Sequence, residues 1–280
     1  MERRAFDCVP VINRAEKPRS RGITFAEDAY FSHLGLAGAK DLMQCAGDCI
    51  DIIKLAATTT RYQGREFLKQ KIKIYRDHGV DVFVGGVFLE LALSKGVLKD
   101  FVKEAQYLEL TMLEVSDSAI SMTLDQKVEL VKWVKRAGFK VLAECGRKMA
   151  DSALSVSATK HSIERLIDAG AFKVIVESDE MEHALNSGNM SEVGDIAEMV
   201  LSVGPEHVIL ETPLGASYKI AREFFMWAVQ SFGSDVNLGN VSPDHVTLLE
   251  MIRRGSYWRG WYKMVDTSEI SRENAEAQSR

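Results

Sequence analysis

Short β-branched or apolar runs recur along this chain, each followed by an amphipathic stretch, and few folds accommodate so many consecutive βα units. The runs are Gly22–Phe25, Cys49–Leu55, Val80–Val84, Tyr107–Val115, Lys140–Ala143, Phe172–Val176, His207–Leu210 and Val236–Leu238. Helical patterning follows over Asp28–Ala46, Arg65–His78, Leu89–Tyr107, Leu124–Ala137, Ser157–Ala169 and Asp244–Arg254. Gly79, Gly138 and Gly170 stand where helices would stop. An open doubly wound sheet would alternate too, but usually with fewer strands and a glycine-rich GxGxxG first turn, which is absent. The fold expected is therefore α/β: a single-domain (β/α)8, or TIM, barrel.

With 280 residues the chain fits that architecture, which typically takes about 250 as one domain. Residues 1–16 read as an N-terminal arm and 17–255 as the barrel. Residues 256–280 read as a tail, aromatic and then polar. The aromatic part, Ser256-Tyr257-Trp258-Arg259-Gly260-Trp261-Tyr262, is suited to docking on the barrel or on a partner subunit, so a homo-oligomer stays open.

Acidic and basic residues are interleaved and the net charge is −5, with no basic stripe to track a phosphate backbone; a nucleic-acid partner is not expected. No run approaches the roughly 20 apolar residues of a membrane span. The charged start Met1-Glu2-Arg3-Arg4 lacks the apolar core of a signal peptide, and the four cysteines lack a secreted-domain pattern, so a cytoplasmic protein is expected. Cys45 and Cys49, four apart, read either as half a metal site or as two small buried residues. The second reading is preferred because no second pair of soft ligands has zinc spacing.

Position along the repeat is the informative feature. Glu114, Glu144, Glu177 and Glu211 each stand at the expected C-terminal end of a strand, Lys54 ends the second strand, and Asn237 lies near the end of the eighth. In a closed barrel these positions ring one opening, where such enzymes do their chemistry. Each carboxylate taken singly reads equally as a helix cap or a partner for a lysine. Four together point to a shared function. Their repulsion calls for a cation, and oxygen-rich ligands favour Mg2+. Lys54, Arg147 and Lys148 supply positive charge for an anionic substrate or for proton transfer. The histidines fall mainly away from this face, and neither a GxSxG elbow nor a P-loop occurs. Lys17-Pro18-Arg19-Ser20-Arg21-Gly22 reads either as a solvated arm or as an arm laid across the mouth to hold phosphate or carboxylate.

Over about Lys17–Gly255 the chain resembles the phosphosulfolactate synthase family. The likeness rests on Lys17-Pro18-Arg19, Asp51-Ile52-Ile53-Lys54-Leu55, Gly85-Gly86 followed by Glu90, and Glu114-Val115-Ser116-Asp117. It continues through Glu144-Cys145-Gly146-Arg147-Lys148, Glu211-Thr212-Pro213, Val236-Asn237-Leu238-Gly239-Asn240 and the block Leu248–Gly255. The resemblance implies a Mg2+-assisted Michael-type addition of sulfite to phosphoenolpyruvate, a small phosphorylated acid. It implies Lys148, as proton donor, and Glu144 for catalysis, and Glu114, Glu144 and Glu177 for the metal. Lys17, Arg19, Lys54, Gly85, Gly86, Arg147 and Asn237 would contact substrate.

Three loops depart from the family pattern. Ala56-Ala57-Thr58-Thr59-Thr60 replaces Gly-Trp-Gly-Thr-Ser, Gly85-Gly86-Val87 replaces Gly-Gly-Thr, and Glu177-Ser178-Asp179-Glu180-Met181 replaces Arg-Glu-Ser-Gly. The pattern is similar to a divergent branch that includes plant heat-stress-associated relatives. Three functions follow: sulfite addition, the same barrel with another acceptor, or a non-catalytic stress-associated barrel.

Overall fold

The computed structural model describes residues 5–28, 34–56, 58–145, 156–177 and 190–258. Eight strands form one all-parallel sheet: β1 (Thr24–Asp28), β2 (Ile52–Leu55), β3 (Asp81–Val84), β4 (Met112–Val115), β5 (Lys140–Cys145), β6 (Lys173–Val176), β7 (Val208–Glu211) and β8 (Asn237–Val241). The ladder runs β3-β2-β1-β8-β7-β6-β5-β4. Thr111 N–H to Val82 O (3.1 Å) bridges β3 and β4, so the sheet curls into the expected barrel. The helices α1 (Leu36–Ala46), α2 (Arg65–Asp77), α3 (Gly86–Ser94), α4 (Leu98–Tyr107), α5 (Leu124–Arg136), α6 (Val156–Asp168), α7 (Met190–Val203), α8 (Tyr218–Phe232) and α9 (Val246–Arg253) pack outside it.

Alternation along each strand divides the core in two. Outward residues such as Ile53, Val82, Leu113, Val141, Val174 and Leu210 meet helix residues such as Ile72, Val131, Leu166, Phe224 and Leu249. Inward residues Ile23, Phe25, Ile52, Phe83, Met112, Leu142, Ile175 and Ile209 form a separate apolar plug inside the barrel. β8 adds no bulk to that plug. A Cβ on Gly239 would lie 2.3 Å from the Phe25 ring, so the aromatic fills the room that β8 leaves.

Several element boundaries differ from the sequence reading. β1 extends to Asp28 rather than ending at Phe25, and β8 begins at Asn237 and reaches Val241. Tyr107 ends a helix, so β4 is only the last part of its apolar run. The helix expected over 89–107 is two helices, α3 and α4, because the chain turns at Gly96 with φ +70°. Cys45 is exposed in α1 and Cys49 is half-buried in the following 3-10 turn, so they neither share a helix face nor form a buried pair. No helix among the described residues is long and apolar enough to cross a membrane.

The N-terminal arm lies across the opposite end from the strand tips. Ile12 and Arg254 exchange two hydrogen bonds, and the buried Arg253 donates to the carbonyls of Ser234, Val236 and Ile23. At the other chain end Tyr257 is buried in the core, its hydroxyl 3.4 Å from that of Tyr218, while Trp258 is exposed; 259–280 lie outside the described residues.

Gly239→Ala is expected to cost about 1–3 kcal/mol in urea unfolding through overpacking. Phe25→Leu in the same chain should recover part of that loss.

Candidate active site

The plug's own strand residues explain the site. Two positions beyond an inward apolar residue the chain again points inward, and there the sequence places a charge: Phe25 then Glu27, Ile52 then Lys54, Met112 then Glu114. Leu142 leads to Glu144, Ile175 to Glu177 and Ile209 to Glu211 in the same way. An apolar floor therefore lies under a layer of five carboxylates and one lysine, and all five carboxylates are buried.

Lys54 Nζ lies 3.0 Å from both Glu211 Oε1 and Asn240 Oδ1, and 5.5 Å from the Phe25 ring centre. Burial works against its charge. Glu211, Glu114, Glu27 and Glu144 outweigh that effect and hold Lys54 above the ordinary lysine range, so it is a fixed cation. Glu114 is pushed the other way for a carboxyl. Burial, opposed by Lys54 and reinforced by Glu144 and Glu211, raises it to about 8. Glu114 Oε2 accepts from Gly86 N–H at 2.9 Å, and Glu114 hydrogen-bonds Glu144. A Cβ on Gly86 would come within 2.3 Å of Ser116 Oγ and 3.0 Å of Glu114 Cδ, so this contact requires glycine.

One oxygen each from Glu144, Glu177 and Glu211 lies within 4.8 Å of the others. Three buried carboxylates this close fit a hard divalent cation in spacing and donor type, with no soft ligand in the group. The trio differs from the set expected from sequence. Glu211 is in it and Glu114 is not; Glu114 accepts from Gly86 N–H and is hydrogen-bonded to Glu144. Beside it, a cavity of about 300 Å³ opens between the segments after β7 and β8, its lining including Glu27, Thr212, Tyr218, Asn240, Asp244 and His245.

Of the residues expected to contact substrate, Lys54, Gly85 and Gly86 are at this mouth. Three are not. Lys17 Nζ donates to the carbonyls of Gly47 (2.7 Å) and His78 (3.3 Å), which precede β2 and β3 at the opposite face. Arg19 sits there too, paired with Asp51 at 3.0 Å and bonded to Asp48 O at 2.9 Å. Asp51 also accepts from Thr24 N–H, so this part of the arm clasps the barrel floor. Asn237 opens β8 instead of closing it. Its side chain accepts from Ile23 N–H and donates to Val208 O, and Asn240, three residues on, occupies the mouth. Arg147 and Lys148 lie outside the described residues. Glu27 is not among the expected residues although Phe25-Ala26-Glu27 carries the same signal as Met112-Leu113-Glu114, because the apolar run Gly22–Phe25 stops short of it while β1 continues to Asp28.

A closed barrel with buried acids and a fixed lysine at its strand tips has the build of a barrel enzyme. A family profile described as (2R)-phospho-3-sulfolactate synthase (ComA) matches residues 12–258. A phosphosulfolactate synthase of Methanothermobacter thermautotrophicus is 31% identical over 249 residues, covering 86% of this chain and 92% of that protein. One from Methanocaldococcus jannaschii is 32% identical over 218 residues, covering 77% and 85%. Protein HEAT-STRESS-ASSOCIATED 32 of Arabidopsis thaliana is 22% identical over 263 residues, covering 85% and 87%. The chain belongs to the phosphosulfolactate synthase family, whose members are lyase-type enzymes.

Lys54→Met is expected to destabilise the metal-free protein by about 3–5 kcal/mol, because Glu211 is left buried without its counter-charge. The double variant Lys54→Met/Glu211→Met should recover part of that loss in the same unfolding assay, the remainder reflecting Glu27, Glu114 and Glu144, which also face Lys54.

Proposed function

We propose that this protein adds sulfite to phosphoenolpyruvate, giving phosphosulfolactate, with a divalent cation, Mg2+, held at Glu144, Glu177 and Glu211. The observation that carries the reading is the buried three-carboxylate cluster at the mouth of a barrel matched over most of its length by this family. In the reaction the sulfur lone pair bonds to the methylene carbon. The double-bond electrons move toward the substrate carboxylate, and a proton reaches the adjacent carbon. A bound cation would supply positive charge against that carboxylate as its negative charge grows.

The chain's own residues set the conditions. The apolar plug closes the charged layer from below and all five carboxylates are buried, which strengthens electrostatic interactions there. Lys54, fixed by Glu211 and Asn240, offers a permanent positive charge to an anionic substrate at the same level. Proton delivery is assigned to Lys148 through the family resemblance. Lys17, Arg19 and Asn237 are not assigned to substrate in this reading, since they hold the far end of the barrel.

A second reading changes the acceptor. Glu27 and Asp244 line the side cavity, and in the sequence Asp179 and Glu180, outside the described residues, follow Glu177 where the family pattern carries arginine. Acidic surroundings disfavour an anionic nucleophile and suit a neutral or cationic one.

The test is incubation with phosphoenolpyruvate, sulfite and Mg2+, with mass-spectrometric detection of the carbon–sulfur product. Product is expected, and Glu177→Gln should lower kcat/KM at least 100-fold. Folded protein that binds phosphoenolpyruvate and Mg2+ yet forms no product would leave the second reading standing. In a separate thermal-unfolding measurement, Mg2+ at 100 times its Kd should add about 2.7 kcal/mol of stability, lost again with a chelator.

A further inference from the structure

Glu90 is fully buried on α3, one turn beyond the glycine that touches Glu114, and its carboxylate is surrounded by donors from a single loop. Oε1 accepts from Ser116 Oγ–H and from Ser118 N–H (3.1 Å); Oε2 accepts from Ala119 N–H (2.7 Å) and Ile120 N–H (2.9 Å). Three consecutive backbone amides folded around one oxyanion form a nest, with a side-chain carboxylate as its occupant. Burying a carboxylate is costly, and four charge-assisted hydrogen bonds offset that cost only while the loop keeps this shape.

The shape is directed at one residue. Ser118, whose amide is held by Glu90, turns its hydroxyl onto Glu144 Oε1. Its neighbour Asp117 holds Lys127 Nζ at 2.5 Å, and that ammonium also donates to the Glu144 main-chain carbonyl. Two successive loop residues thus fix Glu144, one at its carboxylate and the other through Lys127 at its backbone. A loop needing only to connect β4 to α5 would not require both. The capping box of Thr123 and Gln126 already starts that helix locally.

We propose that Glu90 is a positioning residue of the active site, acting through Ser118 to set the orientation of the Glu144 carboxylate. The inference rests on the reading of Glu144 as a cation ligand. Outer partners that orient ligating groups are typically worth 10- to 100-fold in metal affinity. Ser118 provides that orientation directly and Glu90 at one remove. Ser118 supplies the proton and Glu90 supplies the fold that aims it.

The test is a double-variant cycle on the full chain, with Mn2+ as the metal probe and amide hydrogen exchange on the metal-free protein. Glu90→Gln keeps the shape but sets an NH2 group against N–H donors. It should accelerate exchange at Ser118, Ala119 and Ile120 at least 10-fold and weaken Mn2+ binding about 10-fold. Ser118→Ala should weaken Mn2+ equally while leaving Ala119 and Ile120 protected, and Ser118→Thr should restore affinity. The double variant should lose no more than Glu90→Gln alone, because both changes cut one path. Losses that multiply to about 100-fold, or wild-type affinity in a folded Glu90→Gln protein, overturn the proposal. If Glu90→Gln does not fold, unchanged affinity in Ser118→Ala overturns it, and loss in Ser118→Ala with rescue by Ser118→Thr supports it. An unmodified protein that binds no Mn2+ rejects the metal reading by itself. The relay is then decided by the Glu144 carboxyl 13C resonance. Equal displacement in Glu90→Gln and Ser118→Ala supports it, and an unmoved resonance in Glu90→Gln overturns it.

Discussion

The salt bridge between Lys54 and Glu211 is made inside a barrel, on top of an apolar plug, where little water is available to screen it. Around it stand four further buried carboxylates, and among the described residues of this layer Lys54 is the one cation for five acids. Glu211 takes that cation directly. Glu114 is driven toward its protonated form by burial and by its neighbours and leans on a backbone amide. Glu144 is held by a serine hydroxyl, and together with Glu177 and Glu211 it forms the close group suited to a second, exogenous positive charge. Lys54 thus organises one side of the mouth, and Glu211 belongs both to its salt bridge and to the close carboxylate group.

The two ends of the barrel differ in chemistry. At the floor, cations meet backbone carbonyls: Lys17, Arg19 and Arg253 all donate to main-chain oxygens near the strand starts. Such contacts are directional, and those of Lys17 and Arg19 lock the arm to the barrel. At the mouth, among the described residues, side chains meet mainly other side chains, and acids outnumber bases. Substrate chemistry is expected where charge is left to be neutralised, and that is the mouth.

Much of this was legible in the chain itself. The eightfold alternation pointed to the architecture, and the position of Glu114, Glu144, Glu177 and Glu211 at the expected C-terminal ends of successive strands marked them as one ring. The arm was harder to read. Lys17-Pro18-Arg19 has the composition of an anion-binding segment, but a cation's partner is set by where the chain passes, and here it passes under the barrel. Asn237 reads as a strand end because the apolar run Val236–Leu238 stops at Gly239, whereas the strand continues through Gly239 and Asn240 to Val241. The role of Glu90 was invisible for a different reason. A buried acid on an apolar helix has no periodic signature, and its meaning lies in amides that every sequence possesses.

The pairing of β1 with β8, and of Ile12 with Arg254, joins segments from near opposite ends of the chain. During synthesis one edge of β1 must therefore wait without its neighbour until nearly the whole barrel has been made. Parallel pairings of such long sequence separation form slowly, and an open strand edge invites the wrong partner. The arm that closes the floor precedes every strand in the chain, yet its seat against Arg254 exists only once the helix after β8 has been added.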